Sequence, residues 1–345
     1  MGQVDEEIRE QPEALARLLG EGRPTVEAIA ARAREFAPRL VVIAARGSSD
    51  NAARYAQYLF GAHNRLPVCL ATPSLFTYYD AAPSLAGALV IGVSQSGQSP
   101  DIVAVVEAGR RQGALTVAIT NRPGSPLSSA AEHTLPLLAG EERAVAATKT
   151  YTSQLGALAM LSAALEGEAA RWEELARVPG FVEETLRLNR AVEDQVARYR
   201  YAEHFVVAGR GFNYGTAFEV ALKVKETSYL VAEPYSPADL LHGPVAMIDR
   251  GFPVLLVAPS GRVLADLAQL AELLDRRGAE LIAISDDAEV KQRARVGLPL
   301  PTGMEEWVSP IAAVVPGQLF AVALARTRGL DPDQPRGLSK VTETR

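Results

Sequence analysis

Short apolar runs alternate with helix-like segments along most of the chain. After a charged, helical opening stretch, such runs occupy 40–45, 67–72, 87–93 and 115–120. Each has the length and composition of a strand buried in a parallel sheet. The segments between them have the apolar spacing of helices. This alternation predicts an α/β fold in which helices cover both faces of a parallel sheet, as a three-layer αβα sandwich.

The order of segments begins again in the second half of the chain. Arg46 and Arg210 each follow an apolar run and lie 164 positions apart, and Gly113 and Gly278, each after an arginine pair, lie 165 apart. Two offsets that differ by one residue favour a tandem duplication, with chance similarity between two α/β domains as the alternative. The predicted organisation is an N-terminal helical segment (1–35), a first domain (36–165), a helical linker (166–198), a second domain (199–328) and a C-terminal tail (329–345).

Composition limits the classes of function. The 345 residues are 48% hydrophobic and carry a net charge of −6, which argues against a nucleic-acid partner. The single cysteine, Cys69, excludes an internal disulfide and is expected to be an inert core thiol. The four histidines show no metal-ligand spacing, so neither a metal nor a cofactor is expected. With no signal peptide and no apolar run of about 18 residues, we expect a cytoplasmic protein without a membrane partner.

The most polar strand end is Ser94-Gln95-Ser96-Gly97-Gln98-Ser99. It separates an apolar run from a helical pattern that starts near Asp101. Hydroxyls and backbone N–H groups at a helix N-terminus suit a phosphate, and the helix dipole adds to the attraction. The turn contains neither Lys nor Arg, so neutral donors are expected to do most of the holding. A serine-rich helix cap is the alternative, although a cap needs only one such residue.

Two further segments carry candidate chemistry. Glu219, Lys223 and Glu226 fall at i, i+4 and i+7 on one face of a helix predicted from Thr216 to about Tyr229. A solvated ion-pair ladder is one interpretation. The small and apolar flanking residues favour a partly buried row instead. His242 precedes Gly-Pro, which would fix its backbone and hold its imidazole, and a purely structural turn histidine is the alternative.

These motifs together resemble the sugar isomerase (SIS) family, and more closely the isomerase domain of glucosamine-6-phosphate synthase. The resemblance runs over nearly the whole chain and implies two tandem SIS domains. The matching segments are Glu7–Pro12, Ser94–Gly97, Ala147–Lys149, Ala221–Tyr229, His242–Pro244 and Asp333–Arg336 with Lys340.

The resemblance also implies residue roles. Glu226 would move a proton between C1 and C2 of the sugar, and His242, supplied by the neighbouring subunit of a homodimer, would open the ring. Lys340 would approach the open-chain carbonyl as a Schiff-base or electrostatic partner, and Lys223 would steady the charge. The implied substrate-binding residues are Gly47, Ser48, Ser49, Ser94, Gln95, Ser96, Ser99, Val145 and Ala147.

Departures from the synthase indicate the activity. The chain shows no glutaminase domain, Gln98 stands where the synthase usually has an acid, and Ala147 where it often has serine. The phosphate turn looks more like that of the stand-alone amino-sugar-phosphate deaminases. We therefore expect an isomerase/deaminase that converts glucosamine 6-phosphate to fructose 6-phosphate and ammonia. A galactosamine 6-phosphate deaminase, a fructosamine-phosphate deaminase or deglycase, and a non-catalytic sugar-phosphate-binding regulator are the alternatives.

Overall fold

The computed structural model describes residues 2–340, which form two compact units. The first-sheet unit comprises residues 13–142, 149–177 and 339–340, and the second-sheet unit comprises residues 2–12, 143–148 and 178–338. Residues 341–345, the end of the predicted tail, lie outside the described residues. Each unit therefore contains chain segments that are distant in sequence.

Strands and helices alternate as the apolar pattern predicts. The strands are β1 (Leu40–Ala44), β2 (Val68–Leu70), β3 (Ala88–Val93), β4 (Leu115–Thr120), β5 (His133–Pro136), β6 (His204–Gly209), β7 (Val231–Tyr235), β8 (Pro253–Val257), β9 (Glu280–Ser285) and β10 (Val296–Pro299). The helices are α1 (Gln3–Arg9), α2 (Gln11–Glu21), α3 (Arg23–Phe36), α4 (Ser48–Asn64), α5 (Ser74–Thr77), α6 (Pro100–Arg111), α7 (Pro126–Ala130), α8 (Lys149–Glu166), α9 (Ala169–Ala176), α10 (Val178–Leu188), α11 (Val192–Val196), α12 (Tyr214–Ser228), α13 (Pro237–Leu241), α14 (Leu264–Arg276), α15 (Ala288–Arg293) and α16 (Ser309–Thr327).

Both sheets are parallel and have the same strand order. The first sheet runs β2-β1-β3-β4-β5 and the second runs β7-β6-β8-β9-β10, so each follows the order 2-1-3-4-5 within its own half. This confirms the predicted fold class. In each sheet, the second strand is added on one side of the first strand and the remaining strands are added on the other side. The point between the first and third strands is therefore a topological switch point, and α/β proteins bind ligands there, outside the carboxyl ends of the strands.

Complete burial of the central strands explains why they read as continuous apolar runs. Val42 of β1 pairs with Val90 of β3, and both share a core cluster with Ile102 of α6. The alternate β3 residues Leu89 and Ile91, which point to the opposite face, are equally buried. Helices therefore cover both faces of this sheet, and the positions of β1 and β3 are all apolar or small.

Helix α16 forms much of the core of the second-sheet unit. Among residues 2–340, it is the one helix that is long and apolar enough to cross a membrane. However, 83% of its most apolar stretch is buried inside the protein. The expectation that no apolar segment reaches about 18 residues was therefore wrong. A helix that is buried all round needs no polar face. Gly317 brings it close to α12, because a Cβ there would meet the side chain of Val220.

Cys69 does not lie in a core. It is exposed on β2, which contains three residues and forms one edge of the first sheet. A short edge strand lacks a neighbour on one side, and its side chains are therefore less enclosed than those of β1 or β3. The prediction of an inert core thiol was wrong for this reason.

We predict that Gly92→Ala in β3 destabilises the protein by about 1–3 kcal/mol through overpacking. A Cβ at Gly92 would lie 2.6 Å from Cδ1 of Leu127 and 2.8 Å from Cγ2 of the β-branched Val106. The matched control is Gly20→Ala in α2, where a Cβ meets nothing within 4 Å and helix propensity favours alanine. Urea unfolding measures both free energies. A Gly92→Ala variant as stable as Gly20→Ala would contradict the prediction.

Candidate active site

The turn after β3 has a fixed shape. The Ser94 hydroxyl accepts a hydrogen bond from the Gly97 N–H at 3.1 Å, and Gly97 has a φ of 64°. A Cβ at Gly97 would collide with the side chain of Ser125, so glycine is required here for its backbone and for its size. The Gln95 carbonyl accepts the Asn121 N–H at 3.1 Å, which fastens the turn to the segment that follows β4.

Several donors of this turn are available to a ligand. Ser99 is the N-cap residue of α6, yet its side chain makes no capping hydrogen bond. The N–H groups of Ser96 and Ser99 have no hydrogen-bond partner within residues 2–340. A serine-rich cap therefore does not account for the turn. The arrangement suits an anion at the positive end of the α6 dipole.

The turn after β1 lies beside it, because β1 and β3 are parallel neighbours. Gly47 follows β1 and is the N-cap residue of α4, so that Ser48 and Ser49 lie in the first turn of this helix. Ser49 is buried and its hydroxyl accepts a hydrogen bond from the Gln154 side chain at 3.0 Å. Arg46 pairs with the fully buried Asp101 at 2.8 Å and thereby connects this turn to the start of α6.

A cavity of about 230 Å³ opens at the turn after β3, and two cations reach it from distant parts of the chain. The lining residues are Gln95, Ser96, Gln98, Arg122, Glu142 and Lys340. The turn itself is uncharged, as the sequence shows, but its surroundings are not. An expectation based on neutral donors alone therefore omitted the charges that other segments supply.

Glu142 holds Lys340 at this cavity. The carboxylate is fully buried, receives the Lys340 ammonium at 2.6 Å, and accepts the Thr150 N–H at 3.0 Å and hydroxyl at 2.7 Å. Burial alone would raise the pKa of Glu142, but the charge and hydrogen bond of Lys340, with the bonds from Thr150, hold that pKa below its usual value. Glu142 is therefore ionised at neutral pH.

The tail that carries Lys340 is not frayed up to that residue. Asp333 accepts the N–H groups of Gln3 and Val4 at 2.9 and 2.7 Å, at the start of α1. The Arg336 N–H donates to the Tyr229 hydroxyl at 2.6 Å, and the Arg336 guanidinium stacks 4.7 Å from the ring centroid. Because these partners are distant in sequence, the composition of the tail does not reveal them.

The charged row of α12 is largely buried. Lys223 is 3% exposed and lies 2.6 Å from Glu226 Oε2 and 3.4 Å from Glu219 Oε1, and Glu219 is fully buried. The solvated-ladder interpretation is therefore wrong. Glu226 is 24% exposed, and its Oε1 has no hydrogen-bond partner among the described residues. One carboxylate oxygen is thus held by Lys223 while the other can accept a proton.

Glu7 of α1 holds the segment that contains Val145 and Ala147. Its buried carboxylate accepts the Arg143 N–H at 2.6 Å and the Ala144 N–H at 3.2 Å. Val145 and Ala147 follow directly and are half-buried. Their role in substrate binding stays a prediction, but the structure explains why a carboxylate stands in the opening motif.

His242 is fixed in its backbone but not in its side chain. Its N–H donates to the Ala238 and Asp239 carbonyls at the end of α13, and Gly243 adopts a φ of 142°. The imidazole is exposed and has no hydrogen-bond partner among the described residues. The expectation that the ring itself is held was therefore wrong.

The predicted site residues fall into two groups. The first-sheet unit contains the turns Gly47–Ser49 and Ser94–Ser99 together with Lys340. The second-sheet unit contains the remaining predicted residues, which are Lys223, Glu226, His242, Val145 and Ala147. Sequence reasoning missed Glu142 and Arg122, for which no motif or spacing gave a signal. Residues 2–340 contain no group of three or more His, Cys, Asp or Glu side chains that could hold a metal ion.

We predict that Glu142 adds an acid-dependent component to stability. Because its folded pKa lies below the ordinary value of 4.5, its contribution is complete above pH 4.5 and is lost as pH falls through the folded pKa. The free energy of unfolding of the wild type should therefore fall more steeply below pH 4.5 than that of Glu142→Gln. Urea titrations across this range measure the slopes, with the exposed Glu13→Gln as control. Equal slopes for wild type and Glu142→Gln would overturn this assignment.

Known proteins share both the sequence and the fold. The SIS domain family matches residues 37–164 and 199–328. Glutamine–fructose-6-phosphate aminotransferase [isomerizing] of Aquifex aeolicus (strain VF5) is 37% identical over 340 residues, which cover 97% of this chain and 56% of the relative. The chain thus spans little more than half the length of that relative.

Proteins of solved structure have the same fold as this chain. A candidate phosphosugar isomerase from Silicibacter pomeroyi DSS-3 superposes with a TM-score of 0.89 at 37% identity, covering 96% of this chain and 100% of that one. Glucosamine-6-phosphate deaminase from Thermotoga maritima gives a TM-score of 0.84 at 22% identity, covering 99% and 100%, a likeness in fold alone. The two matched segments confirm the tandem duplication. The chain therefore belongs to the SIS domain family, with two copies of the domain and homology to the isomerase domain of the aminotransferase.

Proposed function

We propose that this chain isomerises and deaminates an amino-sugar phosphate. In the proposed reaction, glucosamine 6-phosphate and water give fructose 6-phosphate and ammonia. A proton moves from C2 of the open-chain aldehyde to C1, and a second proton moves from the amine nitrogen to O1, which leaves a hydroxymethyl group at C1 and an imine at C2. Water then hydrolyses the imine and releases ammonia. The reaction requires no glutamine and hence no glutaminase domain.

The observation that carries the proposal is the paired but accessible carboxylate of Glu226. Lys223 is buried between Glu219 and Glu226, so its charge orients Glu226 from inside the protein. The second Glu226 oxygen has no partner among the described residues and the side chain is partly exposed. A carboxylate in this state can take a proton from C2 and return it to C1 on one face of a cis-enediol-type intermediate.

The remaining residues have complementary roles in this proposal. The turn Ser94–Ser99 binds the phosphate. His242 moves a proton between the ring oxygen and the anomeric hydroxyl, and Lys340 approaches the open-chain carbonyl. His242 is exposed, and the same segment carries two exposed apolar side chains, Leu241 at 52% and Met247 at 42%. This exposure suits a residue contributed across an interface between two copies. We propose a cytoplasmic homodimer with shared sites and without a nucleic-acid or membrane partner.

A second candidate is a deaminase or deglycase for fructosamine phosphates. A groove of about 600 Å³ shares Gln95, Arg122 and Glu142 with the smaller cavity. Such a groove would accommodate a substituent on the sugar nitrogen. A non-catalytic sugar-phosphate regulator is less well supported, because Glu226, Lys223, His242 and Lys340 are all present.

The direct test is ammonia release from a panel of 6-phosphates of glucosamine, galactosamine and fructosamine adducts. We expect turnover of glucosamine 6-phosphate, with fructose 6-phosphate and ammonia formed in equal amounts. Preferred turnover of galactosamine 6-phosphate or of an adduct would favour one of those alternatives. Tight binding of the panel without ammonia or isomer formation would identify a regulator.

We predict that Glu226→Gln lowers turnover by roughly 10²–10⁴-fold, because glutamine keeps the size of the side chain but cannot accept the proton. In D₂O the wild type should incorporate deuterium at C1 of fructose 6-phosphate, and Glu226→Gln should not. NMR measures the exchange. The control is Glu272→Gln in α14, an exposed carboxylate that pairs with Arg276. Undiminished exchange in Glu226→Gln would remove Glu226 as the base.

We also predict that two inactive variants complement each other. In a hybrid of Glu226→Gln and His242→Ala subunits, one site receives an intact Glu226 and an intact His242. Random re-association of equal amounts should restore about a quarter of wild-type activity, because half the dimers are hybrids with one intact site each. Ammonia release measures recovery, and each variant mixed with itself is the control. Mixed dimers that stay inactive would contradict a shared site.

A further inference from the structure

The turn Ser94–Ser99 and the Lys340–Glu142 pair supply too little positive charge at the small cavity to neutralise a phosphate. A sugar phosphate carries between one and a half and two negative charges near pH 7, as a rough figure. The turn Ser94–Ser99 supplies only neutral donors. The Lys340 ammonium pairs with the buried Glu142 carboxylate, so this pair presents little net charge to a ligand. Another cation would therefore improve binding substantially.

Arg122 is placed to be that cation. It lines both the cavity of about 230 Å³ and the adjoining groove. Its backbone is fixed, because its N–H donates to the Thr120 hydroxyl at 3.2 Å and its carbonyl accepts the Ser125 N–H at 3.1 Å. The neighbouring Asn121 N–H bonds the Gln95 carbonyl, so the segment with Arg122 is attached directly to the phosphate turn.

The Arg122 guanidinium is exposed and has no hydrogen-bond or ion-pair partner within residues 2–340. By contrast, Arg46 pairs with Asp101, and Arg110 donates to the Ala130 carbonyl. A guanidinium offers planar, bidentate hydrogen bonding that matches phosphate geometry and keeps its charge at all physiological pH values.

We propose that Arg122 binds the phosphate group of the substrate, as the cation that the neutral turn lacks. The inference rests on the proposed function of this site and adds a substrate-binding residue that lies outside the turn. Its side chain would approach the phosphate from the groove side, opposite the N-terminus of α6. The phosphate is then held by neutral donors on one side and by a guanidinium on the other.

Calorimetric titration with glucosamine 6-phosphate and, separately, with inorganic phosphate tests the inference without requiring turnover. Arg122→Gln should weaken both ligands by about 10-fold to 100-fold, the range for loss of hydrogen bonds to a charged group. Arg122→Lys should recover part of this loss. The affinity of the wild type should fall more steeply with salt than that of Arg122→Gln.

Two comparison variants separate the possible outcomes. Arg111→Gln removes the same charge from the exposed end of α6 and should bind as the wild type does. Ser96→Ala removes a donor of the turn itself. If Ser96→Ala weakens binding while Arg122→Gln binds both ligands as the wild type does, the inference is overturned and the proposed function stands. If the wild type binds neither ligand, the proposed function fails, and the inference fails with it.

Discussion

A buried carboxylate must be given hydrogen-bond donors, and this requirement organises the candidate site. Glu7, Glu142 and Glu219 are among the buried carboxylates. Glu7 takes its donors from the backbone that leads to Val145, and Glu142 takes them from the C-terminal tail and the start of α8. Glu7 and Glu142 thus each hold a segment that is distant from them in the sequence. Loss of Glu142 would remove the anion that pairs with Lys340, and loss of Glu7 would remove an acceptor of the Arg143 and Ala144 N–H groups.

The sequence predicted those features that depend on neighbouring residues. Both sheets, the turn after β3 and the face of α12 follow from apolar runs and from spacing, because burial and helix geometry impose a local period. What it could not predict depends on long-range contacts. Glu142 and Lys340 are 198 positions apart, and nothing near either one specifies the other. The exposure of Cys69 likewise depends on which strand forms the sheet edge, a matter of topology and not of composition.

The two copies of the domain keep one topology but have different strand ends. In the first copy, the N–H groups of Ser96 and Ser99 in the turn after the third strand have no partner within the described residues. In the second copy, the corresponding turn donates its Ser260 N–H to Asp286 at 2.7 Å and its Arg262 N–H to Glu306 at 2.8 Å. The duplicated backbone thus places a turn with backbone N–H donors after the third strand of each copy. Only the turn of the first copy leaves these donors available to a ligand.

In the second copy, the carboxylates of Asp286 and Glu306 occupy the positions that an anionic ligand would take at the turn. A group attached to the same chain competes with a dissolved anion at an effective concentration on the order of millimolar. A Cβ at Gly261 would also collide with Glu306, so glycine lets this carboxylate approach the turn closely. Because Asp286 and Glu306 occupy the turn of the second copy, a ligand that requires free backbone N–H groups can use the turn of the first copy and not that of the second.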